Sequence, residues 1–285
     1  MKHMRLSRRQ KKKLPLMLGV SALLAGSVVT GGYHIVQALG KPVADANGCY
    51  ASVNGAQTTV LIDASSPRWT TEQQRGLHTY VSRLYQGLRF NERLNIYTTE
   101  GDVISSVPTP RLTLCGGART AHDLAKIGLD SASDGYLSRQ RQRNYDQIFA
   151  PSMQEILKIT PDVKREQKKQ SPILETIRSI SQISPFKSGD RFVVVSDLIQ
   201  NTESARFCSH KGHLPSFERF KQRSQYSVLK PESFNGASLE ALMLMRSGYG
   251  QTGYLPYCTE KELRDFWKAF SLDNGASSFS LSRIR

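Results

Sequence analysis

Between Thr58 and Ile62 the chain reads TTVLI, a short β-branched run that ends at once in Asp63-Ala-Ser-Ser-Pro67. Such a run suits a buried strand. Thr70, Thr71, Gln73 and Gln74 then form a helix start, and Leu77, Val81, Leu84 and Leu88 recur at helical spacing. Arg93–Thr99, RLNIYTT, alternates as a strand; Ser105–Cys115 is extended and carries prolines, which suits a sheet edge. Residues 116–136 are rich in Gly, Ala, Ser and Asp and read as a mostly irregular insertion. A helix is predicted from Tyr136 to Phe149, broken at Pro151 and resumed over Met153–Ile159, followed by the charged stretch DVKREQKKQ. In SPILETIRSISQI, Ser171 is placed as an N-cap with Pro172 at the first helical position.

Arg191–Gln200, RFVVVSDLIQ, is the plainest strand, a continuous apolar run of the kind covered on both faces. Ser238–Arg246 reads as a further strand, although its Leu, Ala, Glu and Met are also helix formers. Thr259-x-x-Glu262 opens a capping box for a helix that stops at Asn274-Gly275, and Ser277–Ile284 closes the chain as a strand. Strands alternating with helices imply an α/β fold: an open, mostly parallel sheet of Rossmann-like form with helices on both faces. No internal repeat is present.

The amino terminus differs from the rest. Residues 1–13 hold seven of the 39 Lys and Arg and no acid, which leaves 32 basic against 24 acidic residues in the remainder. The net charge of +15 is therefore unevenly placed, and the remainder, +8 by the difference of those counts, is moderately basic and weaker evidence for nucleic acid than the total suggests. Leu14–Tyr33 contains no charge and, as a helix, spans about 30 Å, the thickness of a bilayer core. Lys41 is the only Lys or Arg between this run and Arg68. The positive-inside rule then predicts a cytoplasmic tail (residues 1–13), a transmembrane anchor (residues 14–38), a linker (residues 39–57) and an exported domain (residues 58–285). In a bacterium this is a single-pass inner-membrane protein with a periplasmic domain. The rival reading is a cleaved signal peptide with a site near Val43–Asn47, which lies more than ten residues past the apolar run. Four cysteines, Cys49, Cys115, Cys208 and Cys258, all follow the anchor; an even number in an exported domain points to disulfides, with three pairings open.

Three segments resemble the von Willebrand factor A (vWA, integrin I-like) family. VLIDASSP stands where that family has a first strand ending in Asp-x-Ser-x-Ser; QSPILETIRSI resembles its Thr-Pro-Leu helix start; VVVSDLIQN resembles its strand ending in Ser-Asp-Gly. The likeness covers residues 58–285 and implies a site that binds Mg²⁺ or Mn²⁺ and, through it, a carboxylate of a partner protein. Carried over by position, the metal ligands are Asp63, Ser65, Ser171 and Asp197. Hydroxyls and carboxylates are the hard oxygen donors such ions take. Two positions depart from the pattern: Pro67 replaces the second serine and Leu198 replaces the glycine. The alternative is that Asp63 and Asp197 are strand-end residues hydrogen-bonded to turn amides. The family's strand order also implies the disulfides Cys49–Cys115 and Cys208–Cys258.

Other chemistry is thinner. Cys208, His210 and His213 have zinc-like spacing but no evident fourth ligand, and a disulfide-bonded loop is the preferred reading. Tyr249, Tyr254 and Tyr257, set among glycines after a strand, suit a partner-binding loop or packing on the sheet. SRQRQR (Ser138–Arg143) and RFKQRSQ (Arg219–Gln225) are basic patches that could hold phosphates of DNA or lipid, with a solvated face preferred. No nucleophile elbow, P-loop, His-Glu-x-x-His or dinucleotide fingerprint occurs, so enzymatic activity is unsupported. The leading expectation is a membrane-anchored protein-binding module that assembles an envelope complex. The alternatives are a membrane-tethered nucleic-acid-handling factor and a metal-dependent hydrolase.

Overall fold

The computed structural model describes residues 41–65, 69–99, 107–159, 170–208, 214–244 and 258–284. The predicted basic tail and anchor lie outside them, as do Pro67, His210, His213 and the tyrosines Tyr249, Tyr254 and Tyr257. Among the described residues, no helix is long and apolar enough to cross a membrane.

One sheet of six strands organises the chain: β1 (Gln57–Ile62), β2 (Arg93–Thr98), β3 (Leu112–Cys115), β4 (Arg191–Ser196), β5 (Ser238–Leu244) and β6 (Ser278–Ile284). Their spatial order is β3-β2-β1-β4-β5-β6, with every pair parallel except β2 and β3. β1 lies centrally, with β2 on one side and β4 on the other. The helices are α1 (Thr71–Gly87), α2 (Ala121–Ala125), α3 (Asp134–Asn144), α4 (Ala150–Ile159), α5 (Ile173–Ile183), α6 (Phe217–Lys221), α7 (Tyr226–Leu229) and α8 (Glu260–Asp273). Thr70 with Gln73 and Thr259 with Glu262 form the capping boxes expected from their spacing.

Alternation along each strand sends side chains to two separate cores. Leu61, Phe192, Val194 and Leu239 point to one face, where α5 contributes Ile173, Leu174, Ile177 and Ile180 and an aromatic group of Phe207, Phe217, Phe220, Phe234, Phe266, Trp267 and Phe270 fills the layer. Val60, Ile62, Val193, Val195, Leu94 and Ile96 point to the other, under Leu77 and Val81 of α1 and Phe149 and Met153 near and in α4. Both faces are covered, which is why β1 and β4 are apolar at successive positions rather than at alternate ones.

Two local expectations are corrected. Pro151 does not interrupt its helix: α3 runs through a π turn at Tyr145–Phe149 into α4, and Pro151 sits inside that helix. The wider π turn precedes the proline, so the missing N–H and the ring fall where the regular ladder is already broken. Ser171 is not an N-cap. Pro172 occupies the cap position without a side-chain bond, while Gln200 Oε1, from the chain after β4, accepts the Leu174 N–H at 2.9 Å. Residues 116–136 are mostly irregular, as expected, apart from the short helix α2, which a Thr120–Asp123 capping box starts, and the first turn of α3.

Disulfides join Cys49 to Cys115 and Cys208 to Cys258. The first staples the segment before β1 to the end of the edge strand. The second ties the chain after β4 to the start of α8, and it takes Cys208 out of the zinc reading, because a disulfide sulfur is no thiolate ligand.

Candidate functional site

Strand register decides what meets Asp63. At the end of β1 the ladder continues one step on each side: the Asp63 N–H donates to the Val195 carbonyl at 2.8 Å, and the Thr99 N–H donates to the Ile62 carbonyl at 3.0 Å. Thr99 and Ser196, the residues at the carboxyl ends of β2 and β4, are thereby brought to either side of the Asp63 side chain. A third approach comes from the chain before α5. Ser171 and Asn201 exchange backbone hydrogen bonds at 2.8 and 3.0 Å, which fixes Ser171 against the loop after β4.

The result is a carboxylate enclosed by hydroxyls. Asp63 is wholly buried. Its Oδ1 accepts from the Ser65 N–H at 3.0 Å, from the Ser65 hydroxyl, and from Thr99 Oγ1 at 3.0 Å. Its Oδ2 accepts from Ser171 Oγ at 3.0 Å and from Ser196 Oγ at 2.7 Å. A carboxylate has about four lone-pair directions, so the acceptor is saturated. Thr99 Oγ1 also accepts the Ala64 N–H at 2.9 Å, which fixes the turn that follows the aspartate. Asp197 stands one hydroxyl away: Ser196 Oγ is 3.5 Å from its Oδ1 and 2.7 Å from Asp63 Oδ2. Among the described residues no Lys, Arg or His forms an ion pair with Asp63, so hydroxyl and amide dipoles carry the solvation of this buried charge.

The turn-amide alternative is also present. Asp63 accepts the amide two residues on, at Ser65, and Asp197 does the same with Ile199 at 3.0 Å. That local geometry leaves unexplained why four hydroxyls from separate segments aim at one carboxylate. The structure brings Asp63, Ser65 and Ser171 into direct contact and places Asp197 beside them. Thr99 and Ser196 are not among the ligands carried over from the sequence; Ser196 is the serine of the resembled Ser-Asp-Gly strand end, and the signal for Thr99 is its position at the end of a strand that flanks β1.

Behind the site, a second polar network fixes its parts. Gln200 is wholly buried, caps α5, and donates through Nε2 to Glu175 Oε2 at 2.7 Å and to Thr202 Oγ1 at 3.0 Å. Leu198, where the resembled family has glycine, keeps a left-handed backbone with φ +64°. A non-glycine residue there costs about 1–2 kcal/mol. The conformation is held from three sides: the Leu198 N–H donates to Ser196 Oγ at 2.9 Å, the buried Trp267 Nε1–H donates to its carbonyl at 3.1 Å, and its side chain is wholly buried in the aromatic core.

The donor set fits a hard divalent cation in kind. Every group is oxygen, and each hydroxyl that now donates to Asp63 can rotate to present a lone pair instead. Among the described residues there is no cluster of three or more His, Cys, Asp or Glu side chains.

No family model and no curated protein matches the sequence. Solved structures similar to the chain include the ArnB paralog VWA2 from Sulfolobus acidocaldarius, at 12% identity and a TM-score of 0.37, covering 82% of this chain and 43% of that one. Another is the pilus adhesin SpaC from Lactobacillus rhamnosus GG in an open conformation, at 11% identity and a TM-score of 0.38, covering 81% of this chain and 28% of that one. This chain spans less than half the length of either.

Proposed function

We propose that residues 58–285 are a vWA-type protein-binding module, tethered to a membrane by the apolar run Leu14–Tyr33, in which Asp63, Ser65, Ser171 and Asp197 hold Mg²⁺ or Mn²⁺. One observation carries this reading. A buried aspartate at the carboxyl end of the central strand gathers hydroxyls from four separate places in the chain, at Ser65, Thr99, Ser171 and Ser196. The crevice outside the carboxyl ends of parallel strands is where open α/β sheets take their ligands. When bound, the ion supplies an open coordination position that accepts a carboxylate from the partner. Asp63 and Asp197 would lower the charge of the ion, and Ser65 and Ser171 would add hydroxyl oxygens to its shell. Thr99 and Ser196 hold the aspartate in place. The outward-facing role of the tether is the assembly of an envelope complex.

The test is urea unfolding of the full chain in chelator and then in Mg²⁺ or Mn²⁺. A ligand at about 100 times its Kd stabilises the folded state by ~2.7 kcal/mol. That gain is expected in the wild type and lost in Ser171→Ala, which deletes a ligand and one hydrogen bond but keeps the carboxylate. An equal gain in the variant, or no gain in the wild type, sinks the metal assignment.

A further inference from the structure

The basic run Ser138–Arg143 lies on α3, and its arginines are not equivalent. Arg139 and Arg143 are exposed, whereas Arg141 is half-buried and turned toward α1 and the Gly116-Gly117 corner after β3. There it lines a cleft of about 190 Å³ with Tyr85, Gly117, Arg119, Ser138 and Tyr145. The Nε of Arg141 is fully buried and has no hydrogen-bond partner among the described residues. A buried donor without an acceptor is rare in folded chains, because its lost hydration is uncompensated.

The rest of the cleft is built for negative charge. Arg119 is fixed at the end of α1, its Nη2 donating to the Gln86 and Leu88 carbonyls at 2.6 and 2.9 Å. Among the described residues no Asp or Glu lines the cleft. The floor is aromatic: Tyr85 stacks on Phe149 with centroids 4.5 Å apart, and Tyr145 stacks on the same ring at 5.2 Å. Burial raises the Tyr85 phenol above its ordinary pKa, so it stays neutral at physiological pH and adds no negative charge. The π turn that begins at Tyr145 sets both rings of its segment on Tyr85. A Cβ at Gly117 would stand 3.1 Å from Arg141 Cγ, so the glycine leaves room for the arginine stem. Cys115 pairs with Arg93 at the start of β2, which places this corner at the amino end of the parallel strands, the end opposite Asp63. Drug-sized ligands occupy roughly 300–1,000 Å³, so this cleft admits an ionic head group and only a few further atoms.

We propose that the cleft binds an oxyanion, the phosphoryl or carboxylate group of a small ligand, between the guanidinium of Arg141 and that of Arg119 over the Tyr85–Tyr145 floor. A guanidinium presents paired N–H donors that match either group. The site is separate from the Asp63 cluster and stands whether or not that cluster holds a metal.

The experiment is isothermal titration of the full chain, in a chloride buffer, with sodium phosphate and separately with sodium succinate. At least one anion is expected to bind. Its affinity falls about tenfold or more in Arg141→Gln and in Arg119→Gln, the loss expected for an ionic hydrogen bond. It is unchanged in Arg143→Gln on the exposed face of the same helix. Binding of phosphate alone assigns a phosphoryl group, succinate alone a carboxylate, and both the shared chemistry. Binding of neither anion, or equal binding in Arg141→Gln and wild type, overturns the proposal. Arg141→Lys guards against a misfolded variant: it keeps the charge and the stem but loses the fork, and is expected to bind more weakly than wild type.

Discussion

The two ends of the sheet treat a polar side chain in opposite ways. At the carboxyl end, Asp63 is buried with both oxygens saturated by hydroxyls and an amide. At the amino end, Arg141 keeps a buried Nε that no described residue accepts. The first arrangement is complete without a ligand, so a cation must compete with hydrogen bonds already made. The second is incomplete, so an anion would satisfy a donor that folding left unmet. A saturated cluster contributes to stability whether or not it binds anything; an unsaturated one detracts from it until it binds.

The contrast can be broken most sharply at Asp63. Asp63→Ala deprives four hydroxyls and an amide of their acceptor in a buried site and is expected to destabilise by about 3–5 kcal/mol, read as a drop in the urea midpoint at unchanged slope. A loss below about 1 kcal/mol would mean the hydroxyls find other acceptors, and the cluster would then be loosely held. Next in size, replacing the Cys49–Cys115 pair by alanines is expected to cost about 2–4 kcal/mol, and the Cys208–Cys258 pair a similar amount, because they close loops of comparable length (sequence separations 66 and 50). Unfolding with and without reductant gives the same comparison. Gln200→Ala removes a cap that α5 takes from a distant segment, and about 1–2 kcal/mol is expected from unfolding curves. The metal-dependent gain should shrink with it, since Ser171 is positioned by the same junction. Arg141→Gln is the smallest: within about 0.5 kcal/mol of wild type, or slightly stabilising, because no bond is lost. A drop of more than about 1 kcal/mol would show that the guanidinium already has a structural partner.

What the sequence disclosed, it disclosed through short-range physics. The continuous apolar runs of β1 and β4 mark strands covered on both faces, and Thr70 with Gln73 and Thr259 with Glu262 mark helix starts because a capping box closes within four residues. Asp63, Ser65, Ser171 and Asp197 were legible as a set only through resemblance to a known pattern. Thr99 carries no local mark, and Ser196 only that of the resembled Ser-Asp-Gly strand end; both matter because the register places them beside β1. Ser171 misled for the same reason: a serine before Pro-Ile-Leu looks like a cap, but its hydroxyl is drawn to Asp63 across 108 residues while Gln200 supplies the cap. Arg141 was hidden in a basic run, because which of three arginines faces inward depends on the phase of α3 against α1.

The position of β1 sets the order in which the molecule can be made. Its partner on one side, β2, follows within about thirty residues, but its partner on the other, β4, arrives with Arg191, which pairs with Thr58 across 133 positions. At about 5–20 residues per second of synthesis, the inner edge of β1 waits roughly 7–27 s for that strand. Until Ser171 and Ser196 are made, Asp63 lacks two of the four hydroxyls that enclose it. The enclosure of Asp63 therefore depends on chain made 108 and 133 positions later, and it is where the two halves of the sheet are joined.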